Sequence, residues 1–292
     1  MPYIRKDFDS IGDLVREACD ESIKIRANLV ATSHDTGRDD FFWTSNFDEA
    51  VTLATNGWSD GAARVVARRD GLEPWLAAAK AAKVRQHSYD VTGDYVDVGR
   101  HLSGEAECFG VEIDSEGGNT FGRVVSIRLN QAVSGSVDPE AIAARGVVVL
   151  LAVDLLESCG IRCEVILSKG SISSNYSGSV RNLQVDSNVV VKRAGDPVDL
   201  DRLAFWIAHP ASFRRFGFRI NEQNGLSPCG CRPTRLADYG QVNGVIEVDE
   251  VCTASGLRDR DLIKNVLAIA SACGLEFDAD EVAAAAVEGG LR

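Results

Sequence analysis

A chain of 292 residues, 45% of them apolar, is long enough to bury a core in one large domain or two modest ones. Its formal net charge of −12 and pI near 4.9 argue against broad binding to a nucleic-acid backbone, although a local basic patch is compatible with an acidic chain. No apolar run reaches the roughly 18–20 residues of a membrane span, and Met1-Pro2-Tyr3-Ile4-Arg5-Lys6-Asp7 lacks the apolar core of a secretion signal, so a cytoplasmic protein with no membrane partner is expected.

Residues 1–104 read as a mainly helical region. Ser10 suits an N-cap ahead of Ile11, Leu14, Val15 and Ala18 on one helix face. Thr32–Asp40 is polar and reads as an exposed loop. Ser45-Asn46-Phe47-Asp48-Glu49 opens a second helix with Phe47, Val51 and Ala54 in phase, and Gly57 closes it. A third helix is expected from about Asp60 to Lys83, turning near Gly71 and Pro74, with Trp58 and Trp75 as packing anchors. His87–Val98 alternates loosely enough to hold a strand. Cys108–Ile113 is a better strand, and the turn Ser115-Glu116-Gly117-Gly118-Asn119 predicts that it forms a hairpin with Val124–Leu129.

Residues 105–292 read as an α/β domain. Val124, Val125, Ile127 and Leu129 form a buried-type strand that runs into the loop Asn130–Ser136. A long apolar helix follows over Pro139–Ser158, and Cys163–Ser168 is the next strand. Strand, loop, helix, strand is the βαβ unit, with parallel strands on either side of the helix. Lys169–Gly178 is a loop or wide hairpin, Asn188–Lys192 a strand, Asp199–Ile207 a helix interrupted at Pro210, Val245–Val248 the last strand and Arg258–Cys273 an amphipathic helix closed by Gly274. The fold class is therefore α/β: a helical N-terminal region followed by a Rossmann-like, mostly parallel sheet with helices on both faces.

Chemistry-bearing residues are sparse. The polar loop at the end of the first strand offers Asn130, Ser134 and Ser136 to a cation or a partner's carboxylate, because open α/β sheets bind ligands at strand exits. The competing reading is a helix cap, with Ser136 or Asp138 ahead of Pro139. His209-Pro210-Ala211-Ser212-Phe213-Arg214-Arg215-Phe216-Gly217-Phe218-Arg219 sets His209, Arg214, Arg215 and Arg219 among aromatics, suited to phosphate, an acidic partner or single-stranded nucleic acid. Its alternative is a helix with core phenylalanines and solvated arginines. His34-Asp35 and Asp39-Asp40 have the residue types of a base or metal ligand, but no partner at a fixed spacing. Eight cysteines are scattered. Cys159, Cys163 and Cys273 read as core fillers, and Cys229-Gly230-Cys231 is too closely spaced for a usual zinc pair. There is no nucleophile elbow, Walker loop or dinucleotide glycine motif. No catalytic residues and no cofactor are expected.

The Arg123–Ser168 pattern resembles the von Willebrand factor A-like fold, which places a metal site, Asp-x-Ser-x-Ser, at the end of its first strand. Aligned there, this chain reads Asn130-x-Ala132-x-Ser134. The resemblance implies a degenerate or lost site, since magnesium wants anionic oxygen ligands. Phe42-Trp43, Phe47-Asp48-Glu49-Ala50, Gly57-Trp58-Ser59-Asp60-Gly61, Val96-Asp97-Val98-Gly99 and His209-Pro210 with Phe213-Arg214-Arg215 together resemble an uncharacterised family of phages and actinobacterial mobile elements. These readings lead to a non-enzymatic protein-binding or assembly protein, the acidic balance suiting a basic partner or an assembly, with self-association a further expectation. The alternatives are a nucleic-acid-associated protein using the arginine segment and a metal-dependent hydrolase or nuclease.

Overall fold

The computed structural model describes residues 2–25, 32–71, 85–93, 95–114, 123–133, 135–173, 183–227, 231–233, 245–248 and 259–273. The first strand, β1 (Tyr3–Phe8), was not anticipated and corrects a purely helical start. Then come α1 (Ile11–Ala18), α2 (Asp39–Phe42), α3 (Phe47–Asn56) and α4 (Ser59–Gly71). Strands β2 (Arg85–Asp90) and β3 (Tyr95–Val96), the short helix α5 (Val98–Leu102) and β4 (Phe109–Asp114) follow. The remainder is β5 (Val124–Asn130), α6 (Pro139–Ser158), β6 (Arg162–Ser173), β7 (Gln184–Lys192), α7 (Leu200–Ala208), a π-helical turn (Ser212–Gly217) leading into α8 (Phe218–Gln223), β8 (Cys231–Pro233), β9 (Val245–Val248) and α9 (Asp259–Ala272).

Local chemistry explains the helix limits. Ser10 and Asn46 cap α1 and α3 by accepting from Asp13 N and Glu49 N, and Gly57 ends α3 at φ 91°, where a side chain is strained. Asp138 accepts from Glu140 N, and Pro139 occupies the first turn of α6, where its missing N–H costs nothing. Of the two caps considered, the structure selects Asp138.

The main sheet runs β1-β7-β6-β5-β9, with β8 pairing along the last residues of β6. β5 and β6 are parallel from Val124↔Arg162 to Asn130↔Ser168, so the βαβ unit is present. β1–β7 and β5–β9 are also parallel. β6 and β7 are antiparallel. The expected hairpin of β4 with β5 does not form. Both edges of β5 are taken, by β6 and β9, and β4 instead joins β2 and β3 in a separate antiparallel sheet, β2-β4-β3.

The two faces of the main sheet differ in chemistry. One register row places Phe8, Val189, Leu167 and Leu129 side by side, and these enter a core with α1, α3, α4, α6, α7 and α9. The next row places Asp7, Asn188, Ser168 and Asn130 side by side on the opposite face. Ser168 Oγ donates to Asn188 Oδ1 at 2.6 Å, and Asn188 Nδ2 donates to Asp7 Oδ1 at 2.7 Å. Among the described residues, α1, α3, α4, α6, α7 and α9 all send side chains into the core on the apolar face. Core side chains come from both sides of residue 104, from Phe8 to Cys273. At the far end of the core, Lys192 is buried and satisfied: its Nζ donates to Glu157 Oε1 at 2.6 Å and to the Cys163 carbonyl at 3.0 Å.

Candidate functional site

Three segments that the sequence offers separately meet beyond the carboxyl end of β5. They are the strand-exit loop, the stretch from His209 to Arg219, and the polar segment from Thr32 to Thr44. The π-helical turn makes the meeting possible. Its extra residue per turn re-aims consecutive side chains, and such turns recur at functional sites. Arg214 and Arg215 are both fully buried. Arg215 donates from Nε to Thr44 Oγ1 (3.0 Å), from Nη1 to the Ser33 and Asp35 carbonyls (3.0 and 2.6 Å) and from Nη2 to the Thr44 carbonyl (2.6 Å). Arg214 donates to the Phe41 carbonyl at 2.7 Å and to the Val137 carbonyl at 2.5 Å, tying the Thr32–Thr44 segment to the loop before α6. Their guanidinium planes lie 3.8 and 3.7 Å from the ring centroids of Phe41 and Phe42.

Glu222, which the sequence did not single out, completes the clamp. Its carboxylate accepts from Thr32 N and Oγ1 and from Ser33 N and Oγ at 2.5–3.0 Å. Burial outweighs these four donors and holds its pKa above the usual carboxylate range. Ser33 is thus gripped from both sides, by Glu222 at its N–H and hydroxyl and by Arg215 at its carbonyl. The segment is exposed over Thr36–Asp40 as expected, but its start is anchored, with Thr32 and Ser33 buried.

Asn130 is buried, and its Oδ1 accepts from Ala132 N at 2.9 Å, turning the chain out of β5. Gln131 Nε2 then donates to the Trp206 carbonyl and to Ser212 Oγ at 2.9 and 3.2 Å. Ser136 is exposed, and Ser134 lies outside the described residues. Arg219 donates from Nε to the Ala18 carbonyl at 3.1 Å. The reading of Arg214 and Arg215 as an outward grip on phosphate or nucleic acid is corrected: both heads are spent on backbone carbonyls inside the protein. Sequence pattern alone does not separate the two cases, because every acceptor of Arg215 lies more than 170 positions away.

His209 is buried in an aromatic cage. Its ring stacks on Phe205 (centroids 5.2 Å apart) and meets the edges of Trp58 and Trp43 at 4.7 and 5.9 Å, while its Nδ1 accepts from Ala211 N at 3.1 Å. Trp43 carries the one positive φ, 58°, found on a non-glycine residue among those described. Arg64, 5.4 and 5.6 Å from the Trp43 and Trp58 rings, covers the pair. Burial pushes the His209 pKa down to about 4. An unfolded chain, with histidine near its usual 6.5, therefore takes up a proton that the folded one refuses. The linked stability is complete above about pH 6.5 and declines as the pH falls toward 4, by about 3 kcal/mol. Urea unfolding at pH 7.5 and 4.5 should show this loss, and His209→Gln should show a smaller one. His34, stacked on Phe47 at 4.5 Å, also has a lowered pKa through burial and retains its share in that variant.

Among the described residues, no group of three or more His, Cys, Asp or Glu side chains converges on a point that could hold a metal. Cys229 and Cys252 lie outside the described residues, and Cys231 opens β8. The hub beneath the strand exits is thus a closed structural clamp.

The small sheet is different. Five of the seven large apolar side chains exposed among the described residues fall within residues 91–102: Val91 (57%), Tyr95 (41%), Val96 (43%), Val98 (64%) and Leu102 (80%). Val98 and Leu102 sit four apart, hence on one face of α5. Between Tyr89 and Cys108 the sequence carries five carboxylates and one arginine. That arginine, Arg100, lies over the Tyr89 ring at 4.0 Å and pairs with Glu105 at 3.0 Å. The result is an apolar surface with an acidic border. Its signal in the sequence was the Val98/Leu102 spacing in a segment too short to bury itself.

The architecture defines a mixed α/β protein on a mostly parallel sheet with an added antiparallel one. A family model described as a domain of unknown function, DUF7192, matches residues 2–241, and the chain belongs to that family. No curated protein and no solved structure matches it. Among the described residues no helix is long and apolar enough to cross a membrane.

Proposed function

We propose that this chain is a non-enzymatic protein-binding or assembly protein of phage or mobile-element type, acting in the cytoplasm, and that it docks a basic protein segment on β3 and α5. One observation carries the reading: exposed large apolar side chains are concentrated over residues 91–102, whereas among the other described residues they occur singly, at Tyr3 and Val124. The acidic border selects the occupant. A partner that brings apolar residues flanked by Lys or Arg satisfies both chemistries, and the chain's net charge of −12 steers such a partner and repels a second copy. The likeness of β5, α6 and β6 to a von Willebrand A-like unit fits a scaffold that presents surfaces to proteins.

A photo-crosslinking residue at position 102 tests this. In host extract it should join the chain to a protein whose linked peptide is rich in Lys or Arg, and the same residue at position 135, away from the patch, should not. Crosslinks between two copies of the chain, to acidic peptides, or to nothing overturn the reading.

A further inference from the structure

Cys108 has no role in the clamp or in the exposed apolar set. It immediately precedes β4, and His101 lies in the last turn of α5. The Cys108 thiol sits 3.6 Å from His101 Nδ1. Backbone bonds fix the spacing: Asp97 N donates to the Cys108 carbonyl at 2.8 Å, and His101 N donates to the Asp97 carbonyl at 2.9 Å. Asp97 is itself engaged, accepting from the Tyr89 hydroxyl and Arg100 N, while Arg100 is held by Glu105 and by the Glu107 carbonyl. The pair therefore stands in a closed turn with its neighbouring charges already occupied.

We infer that Cys108 and His101 form a nucleophilic thiol–imidazole pair that is oxidised by a small hydroperoxide. This goes beyond the binding reading and does not rest on it. The imidazole takes the thiol proton, and the sulfur attacks one peroxide oxygen. An S–O bond forms as the O–O bond breaks, and the sulfur gives up two electrons. The departing hydroxide recovers the proton from His101 and leaves as water. The balance is thiol plus hydrogen peroxide to sulfenic acid plus water.

Two features favour this oxidant and this cysteine. Cys108 is only 4% exposed, which favours a small oxidant over a bulky disulfide, while His101 is exposed and can exchange its proton with solvent. Two other buried thiols are held protonated by burial: Cys163, which donates to the Ile161 carbonyl, is pushed up to about 12, and Cys273 to about 11. The exposed Cys19 is also raised by burial.

The test is dimedone trapping of the full chain after one equivalent of hydrogen peroxide at pH 7, with the adduct mapped by mass spectrometry. The adduct should form on Cys108. Loss of the base that takes the thiol proton should slow trapping by about tenfold or more. His101→Ala should show that loss and recover with added imidazole. His101→Gln, which keeps a hydrogen-bonding group at the same place, should be slowed equally with its melting temperature unchanged. Adducts mapping elsewhere, an unchanged rate in either variant, or slowing that added imidazole does not reverse would overturn the assignment.

Discussion

Replacing Arg215 with methionine should cost about 3–5 kcal/mol of unfolding free energy, among the largest losses of any single polar side chain here. Four hydrogen bonds leave this one guanidinium, to the Ser33, Asp35 and Thr44 carbonyls and the Thr44 hydroxyl. Methionine fills most of the space but leaves those acceptors without donors in a site from which water is excluded. The melting temperature should fall by about 10 °C, given ~2–4 °C per kcal/mol for chains of this size. Arg215→Lys should recover less than half of the loss, because an ammonium cannot span acceptors spread over Ser33, Asp35 and Thr44. Thermal unfolding of the three proteins decides this. A methionine variant as stable as the parent would mean that the clamp does not hold the Thr32–Thr44 segment.

The second large effect lies where α6 crosses α7. A Cβ added to Gly146 would meet Ala208 Cα at 2.3 Å and the Ile207 carbonyl at 2.7 Å, both of them backbone that cannot swing aside. Gly146→Val should therefore destabilise by about 3 kcal/mol or more, with Gly146→Ala between it and the parent. Gly135, whose added Cβ meets nothing within 4 Å, supplies the control: Gly135→Ala should stay within about 0.5 kcal/mol. Denaturant midpoints measure all three.

Much of the architecture was legible because local signals agreed with packing. α6 spans Pro139–Ser158 as expected, since proline and Asp138 mark its start and a wholly apolar body leaves no other place for it than the interior. In β5 and β6 the core-facing positions Val125, Ile127, Leu129, Cys163, Val165 and Leu167 are all apolar, because that face lies deep in the core. β1 was hidden. Tyr3-Ile4-Arg5-Lys6-Asp7-Phe8 is an edge strand that buries only Phe8, so its charged middle looks like a tail. The misread hairpin of β4 and β5 followed from treating nearness in sequence as pairing, whereas β5 had nearer claimants on both edges. At the strand exits the residue types were noticed but not their direction. An arginine beside phenylalanines looks the same whether it faces solvent or finds carbonyls brought from 170 residues away, and Glu222 carried no local mark at all.

The proposed docking on β3 and α5 is tested most directly by the affinity of the protein captured from position 102, once purified, for the full chain and for the Val98→Asp, Leu102→Asp double variant, at low and at high salt. Binding should weaken at least about tenfold in the variant, since two exposed apolar contacts become charges, and should also weaken as salt screens the acidic border. Equal affinity for the two proteins, indifferent to salt, would contradict the account.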